Sequence, residues 1–151
     1  MGIIEAFSRD KLELMSAQWE CEQLIRRYGH LNDAKDYEQL VELFAEDGVL
    51  MRPDGRDSPI VGRQAILNFF RSRPHRLSRH LINNPVITVT SETAAQGISY
   101  VVLYATISAE MAKGKIPRAD RRIIGCFKDK FVNTAEGWRF AERCCTLVMT
   151  T

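Results

Sequence analysis

The only imidazoles in the chain are His30, His75 and His80, so unshifted side-chain acid–base chemistry near neutral pH rests on one of the three. His30 falls near the end of a helical stretch and His75 follows Pro74 among arginines, and both read as solvated surface residues. His80 differs because it opens a β-branched run, sharing one face with Ile82 while Leu81 and Asn83 share the other. Asp33 is the second unusual position. It stands where the first helix should end, and the negative end of a helix dipole disfavours a carboxylate there, so something must compensate it. One reading is a solvated or capping carboxylate. The other is a carboxylate that accepts a hydrogen bond from an imidazole, orients its tautomer and stabilises the ring once it has taken a proton.

The four cysteines, Cys21, Cys126, Cys144 and Cys145, form no C-x-x-C pair and no His-linked zinc spacing. Adjacent Cys144 and Cys145 on a strand would face opposite ways, which speaks against a mutual bridge. They read as reduced, mostly buried thiols in a reducing cytoplasm, with only Arg143 nearby to activate one. No metal site and no dissociable cofactor is implied, because neither a phosphate-binding glycine loop nor a dinucleotide fingerprint is present.

The elements that must position these groups fit one domain spanning residues 1–151. Apolar positions Leu12, Met15, Trp19, Leu24, Ile25 and Tyr28 predict an amphipathic helix over residues 8–32. Asp36, with Gln39 three residues on, predicts the cap of a second helix whose stripe is Leu40, Leu43 and Phe44 and which stops before Gly48. A short strand over 49–52, a turn at Pro53, Asp54 and Gly55, and a third helix over 64–72 ended by Pro74 follow. β-Branched runs over 81–90, 96–108, 121–132 and 138–149 predict four antiparallel strands. The result is an α+β fold: a curved antiparallel or mixed sheet wrapped around three N-terminal helices as a cone-shaped half-barrel with an interior pocket.

Composition narrows the partners. Twenty-one Lys and Arg against 19 Asp and Glu leave a formal charge of +2, too small a surplus for a dedicated nucleic-acid binder. No run approaches the roughly 18 apolar residues of a membrane span, and the first residues lack the form of a signal peptide. The expectation is a soluble cytoplasmic protein. The arginine cluster Arg71, Arg73, Arg76 and Arg79 reads as a solvated helix end, where cations are favoured. On the strand after Thr93, Gly97, Ser99, Val101, Leu103, Ala105 and Ile107 form a small apolar face suited to a cavity. Ile98, Tyr100, Val102, Tyr104 and Thr106 form a bulkier face suited to packing or a subunit interface.

Tyr28, Asp33, Asp36, Tyr37, Leu40, Leu43, Phe44 and Asp47 together resemble the helical signature of the SnoaL-like proteins, within the nuclear-transport-factor-like superfamily that includes scytalone dehydratase. Gly62-Arg63-Gln64-Ala65-Ile66 with Phe69, Arg79-His80 with Asn84, and Gly137-Trp138-Arg139-Phe140 with Arg143 continue the match in order. The resemblance implies a cystatin-like fold. It also implies that Asp33 and His80 are a catalytic pair, with His80 abstracting a proton from carbon and Asp33 steadying the imidazolium. It places Arg143 where an arginine would stabilise an enolate or an anionic leaving group. Leu50, Val101, Leu103, Ile123 and Phe127 fall on the pocket lining.

Departures from scytalone dehydratase are Asn32 in place of a tyrosine and no second histidine on the strand after Thr93. Tyr28 or Tyr104 would then orient a carbonyl. The activity implied is a cofactor-independent lyase or isomerase, of dehydratase type, acting on a small apolar carbonyl or polyketide-like compound. The alternatives are a non-catalytic binding module or an assembly subunit like the β subunits of ring-hydroxylating dioxygenases. A homo-oligomer, dimer or trimer, is implied as well. Residues 110–120 form a charged tip that serves as a lid or as a subunit contact.

Overall fold

The computed structural model describes residues 3–55, 57–106 and 116–150, with side chains from residue 10 onward. In chain order the elements are α1 (Ile3–Ala34), α2 (Tyr37–Val41), β1 (Phe44–Met51), β2 (Ile60–Val61), α3 (Arg63–Ser72), β3 (Ser78–Val89), β4 (Ala94–Ala105), β5 (Arg121–Thr134) and β6 (Gly137–Thr150). They make one six-stranded sheet in the order β2-β1-β6-β5-β4-β3. All pairings are antiparallel except β1 with β6, which is parallel, so the sheet is mixed. This is the α+β arrangement of a curved sheet and three helices.

Helix α1 ends where Lys35 turns into the left-handed region at φ 59°, with Lys35 and Asp36 donating their N–H groups back to the Asn32 and Leu31 carbonyls. Asp36 then caps α2 by accepting from the Gln39 N–H at 3.2 Å. The Gln39 side chain bonds the Asp36 carboxylate at 2.7 Å rather than its backbone N–H, so the cap is one-sided.

The second helix is shorter than its apolar spacing suggests. It stops at Val41, and Phe44 starts β1 instead of closing a helical stripe. The Leu43 carbonyl accepts from Phe140 N–H at 2.8 Å, so pairing with β6 outweighs continued helix; a short apolar run suits either state, and the partner decides. Gly48 lies inside β1, at the register shift between Phe44 and Val49. A Cβ there would stand 2.9 Å from the Ala45 carbonyl oxygen, so the shift demands glycine.

Among the described side chains of α1, the apolar ones that reach the core lie from Ala17 onward. Cys21, Leu24, Ile25 and Tyr28 are buried against Leu40, Phe44, Ile66, Phe70, Phe131 and Phe140. Leu12, Met15 and Trp19 continue the same apolar pattern but are more than half exposed in the single chain. The alternation of β4 divides as its sequence suggests: Ser99, Val101 and Ala105 are buried, while Ile98, Tyr100 and Tyr104 face out. The Cys126, Cys144 and Cys145 thiols and the buried Cys21 thiol are all free. Of the charged tip at 110–120, residues 110–115 lie outside the described residues.

Candidate active site

The last turns of α1 deliver Tyr28, Asn32 and Asp33 to one end of the sheet. Tyr28 and Asn32 stand four residues apart on one helix face. Gly29 makes the approach possible: a Cβ at that position would sit 3.0 Å from Ile82 Cδ1 and 3.6 Å from His80 Cβ, so the missing side chain lets α1 lie close against β3.

There Asp33 meets three donors. Its Oδ1 lies 2.6 Å from His80 Nδ1 and accepts from the Ser78 hydroxyl at 2.9 Å, while Oδ2 accepts the His80 backbone N–H at 2.8 Å. Ser78 and His80 reach the same carboxylate because alternate residues of β3 share a face. Burial pushes the Asp33 carboxyl upward, but the hydrogen bonds and charge of His80, with the Ser78 bond, outweigh it and hold the group below its ordinary value. The dipole penalty expected at a helix C-terminus is thus answered by these three donors.

With Asp33 ionised, the proton between the pair belongs on Nδ1, which leaves Nε2 as the basic nitrogen. Asn32 Nδ2 lies 3.5 Å from that Nε2, and Asn32 Oδ1 accepts from Arg73 at 3.4 Å. The guanidinium can only donate, so it orients the amide with its NH2 toward the imidazole. A relay therefore runs Arg73, Asn32, His80, Asp33. The His80 side chain is 7% exposed and that of Asp33 14%, which keeps the pair largely dry.

His80 opens on a cavity of about 390 Å³. Rows of directly opposed residues across the sheet build its floor: His80 beside Leu103 beside Ile123, then Val101 beside Gly125 beside Leu147, with Phe127 beside Cys145. Tyr28, Leu50, Phe69 and Phe70 close the other walls. Tyr28, Leu50, Val101, Leu103, Ile123 and Phe127 are thus gathered around one space with His80. Burial pushes the Tyr28 phenol up to about 12, against the opposing pull of Arg143, so it stays protonated and able to donate. The Cys145 thiol at the wall is pushed up to about 11, mainly by burial, and is no nucleophile at neutral pH.

Arg143 is not at the cavity surface. It is fully buried beneath the wall, donating to Asp129 Oδ2 at 2.8 Å from the directly opposed position on β5. Its guanidinium lies 3.7 Å from the ring centre of Phe127, 4.3 Å from Tyr28 and 4.7 Å from Phe140. The expected enolate or leaving-group contact is corrected to a structural one, a buried ion pair packed among aromatic rings. Tyr104 is likewise removed as a carbonyl donor, because it faces out from the sheet.

Sequence reasoning missed Asp129, although an acid between Phe127 and Phe131 on one strand face is a visible anomaly. It also left Arg73 and Arg76 in solvent. Arg71 does pair with exposed Glu38, but Arg73 and Arg76 fold back to line the cavity. His30 and His75 stay exposed, His75 beside Lys35 with Nδ1 2.8 Å from Nζ. No group of three metal-ligating side chains occurs among the described residues. No helix among them is long and apolar enough to cross a membrane.

A family profile for the SnoaL-like domain matches residues 13–144. The chain belongs to the SnoaL-like family. Among solved structures, this SnoaL-like protein is similar to a candidate scytalone dehydratase of Novosphingobium aromaticivorans, with TM-score 0.76 and 25% identity over 95% of this chain and 90% of the other. A second protein of that organism, described as NTF2-like with a cystatin-like fold, gives 0.74 at 24% identity over 97% and 90%. A Catenulispora acidiphila protein in complex with S-DNPA gives 0.64 at 26% over 85% and 90%. No curated protein matches the chain. The SnoaL-like, scytalone dehydratase-like fold supports a cofactor-independent isomerase- or lyase-type role or a ligand-binding one.

Proposed function

We propose that this SnoaL-like protein is a cofactor-independent lyase of dehydratase type, or an isomerase, acting on a small, largely apolar carbonyl or polyketide-like compound. The observation that carries the reading is the Asp33–His80 pair at the wall of the cavity, with the second imidazole nitrogen 3.5 Å from the amide of Asn32, which lines the same cavity. His80 Nε2 takes the proton from a carbon beside the carbonyl, and the released electron pair forms an enolate. Asp33 stabilises the imidazolium that results. The enolate pair then forms a carbon–carbon double bond as hydroxide leaves the next carbon, taking the His80 proton and departing as water. Isomerisation differs only in the last step, with His80 returning its proton to a different carbon. Tyr28, a neutral phenol at the cavity wall, is the donor for the carbonyl oxygen.

The test is hydrogen exchange in deuterated water over a panel of cyclic ketones and phenolic polyketides, comparing the native protein with His80→Gln. The expected outcome is exchange that falls by about a hundredfold or more in the variant. Equal exchange by both proteins removes His80 from the reaction.

A further inference from the structure

The floor of the cavity is apolar, but its mouth is not. Arg52, Arg73, Arg76 and Arg121 all contribute to the lining, against a single carboxylate there, Asp54. None of the four guanidiniums makes an ion pair with a carboxylate among the described residues, in contrast to Arg71, which pairs with Glu38, and Arg63, which pairs with Glu42. Arg52 and Arg73 are held over the rings of Phe69 and Phe70, each 5.2 Å from the ring centre, which places their cationic planes at the wall. The Nε atoms of Arg52 and Arg76 are buried without any hydrogen-bond partner.

Such a cluster is costly by itself. A buried donor left unsatisfied loses its hydration without return, and like charges that line one cavity repel. Burial, with Arg73 and Arg121 close by, pulls Arg76 below the ordinary guanidinium value, and Tyr37 and Asp33 offset that only in part. A ligand carboxylate would remove the repulsion, since it accepts forked hydrogen bonds from arginine and neutralises the field.

We propose that the cavity selects a ligand with an apolar body and one carboxylate, the carboxylate seated among Arg52, Arg73, Arg76 and Arg121 at the mouth and the body against Val101, Ile123 and Phe127. The location matters for the chemistry. Arg73 and His80 both contact Asn32, at 3.4 Å and 3.5 Å, so an anion held at the mouth is one side chain away from the proposed base. The anchor therefore sets which carbon of the body faces Nε2. This deepens the dehydratase reading by naming the substrate class, and rests on it only for the fate of the bound compound.

Binding is the direct test, because it is read without turnover. Calorimetric titration compares 2-naphthoate with 2-naphthamide, which share one apolar body and differ in charge. The expected result is that the carboxylate binds about tenfold tighter or more, the gap narrowing as salt is raised. In the Arg76→Gln/Arg121→Gln double variant the gap should collapse to less than about threefold while the amide binds as before, which also reports an intact cavity. Equal affinity of the two probes for the native protein overturns the proposal, as does a gap that survives in the double variant or the failure of 2-naphthoate to bind at millimolar concentration. If the double variant does not fold, the salt dependence in the native protein decides. A carboxylate preference with no hydrogen exchange would leave the anion site standing and sink the lyase reading; exchange without the preference would do the reverse.

Discussion

Asp33 holds His80 at two atoms: Oδ1 lies 2.6 Å from the ring Nδ1, and Oδ2 accepts the backbone N–H of the same residue at 2.8 Å. The carboxylate therefore fixes where the strand begins as well as how the ring is turned. The Ser78 hydroxyl, two residues earlier on the same face, completes its shell.

Replacing Asp33 with asparagine keeps the shape but removes the charge. The expected outcome is a loss of hydrogen exchange on the proposed substrates of about a hundredfold or more, with little change in binding of 2-naphthoate. An unchanged exchange rate would show that Asp33 only anchors the strand. Stability has its own signature. The Asp33 carboxyl is held below its ordinary 3.8 in the folded chain, so its contribution is present above that value and disappears as the pH falls through the folded one. Denaturant unfolding should show the native protein losing stability with acid below about pH 4 more steeply than Asp33→Asn.

The buried pair of Arg143 and Asp129 makes a separate prediction. Arg143→Met should cost about 3–5 kcal/mol at neutral pH, because it strands a buried carboxylate. The Asp129→Leu/Arg143→Met double variant should recover most of that loss. Burial raises the Asp129 carboxyl to about 6, more than Arg143 lowers it. A folded value above 3.8 means that this group's favourable contribution is full below 3.8 and is lost as the pH rises through about 6. Without Arg143 the folded value climbs further. Unfolding curves across the range should therefore show the Arg143→Met deficit widening above pH 6; a deficit independent of pH would mean that lost packing alone accounts for it.

The exposed apolar surface bears on assembly. Leu12, Met15 and Trp19 on α1, and Leu81, Ile98 and Tyr100 on the outer sheet face, are open to solvent in the single chain. Surfaces of this kind mark contacts between chains more often than free surface. We propose a dimer or trimer of this chain, and sedimentation velocity at micromolar concentration should show a species larger than one chain. A monomer across that range removes the proposal.

Much of this was legible in residue order. The period-two alternation of β4 assigned Val101 and Leu103 to one face and Tyr100 to the other, because successive strand side chains must point opposite ways. Asp33 was conspicuous for the same local reason, a charge at the wrong end of a helix dipole. Phe44 shows the limit: its spacing suited a helix, and only the carbonyl–amide bond between Leu43 and Phe140, nearly a hundred residues apart in the chain and invisible to any local window, put it in a strand.

The sequence by itself determined the α+β fold class and the places of the three helices and the four long strands, since these follow from local periodicity; the two-residue β2 is too short to carry a period. Tertiary structure alone decided what each charge meets. Register set Arg143 opposite Asp129 and sealed both under the wall, although the same arginine in sequence looked ready to touch a ligand. The turn after α3 brought Arg73 and Arg76 back to the cavity instead of leaving them in water. An arginine's role depends on which partner lies within a few ångströms and how much water remains, and both are properties of the packed chain.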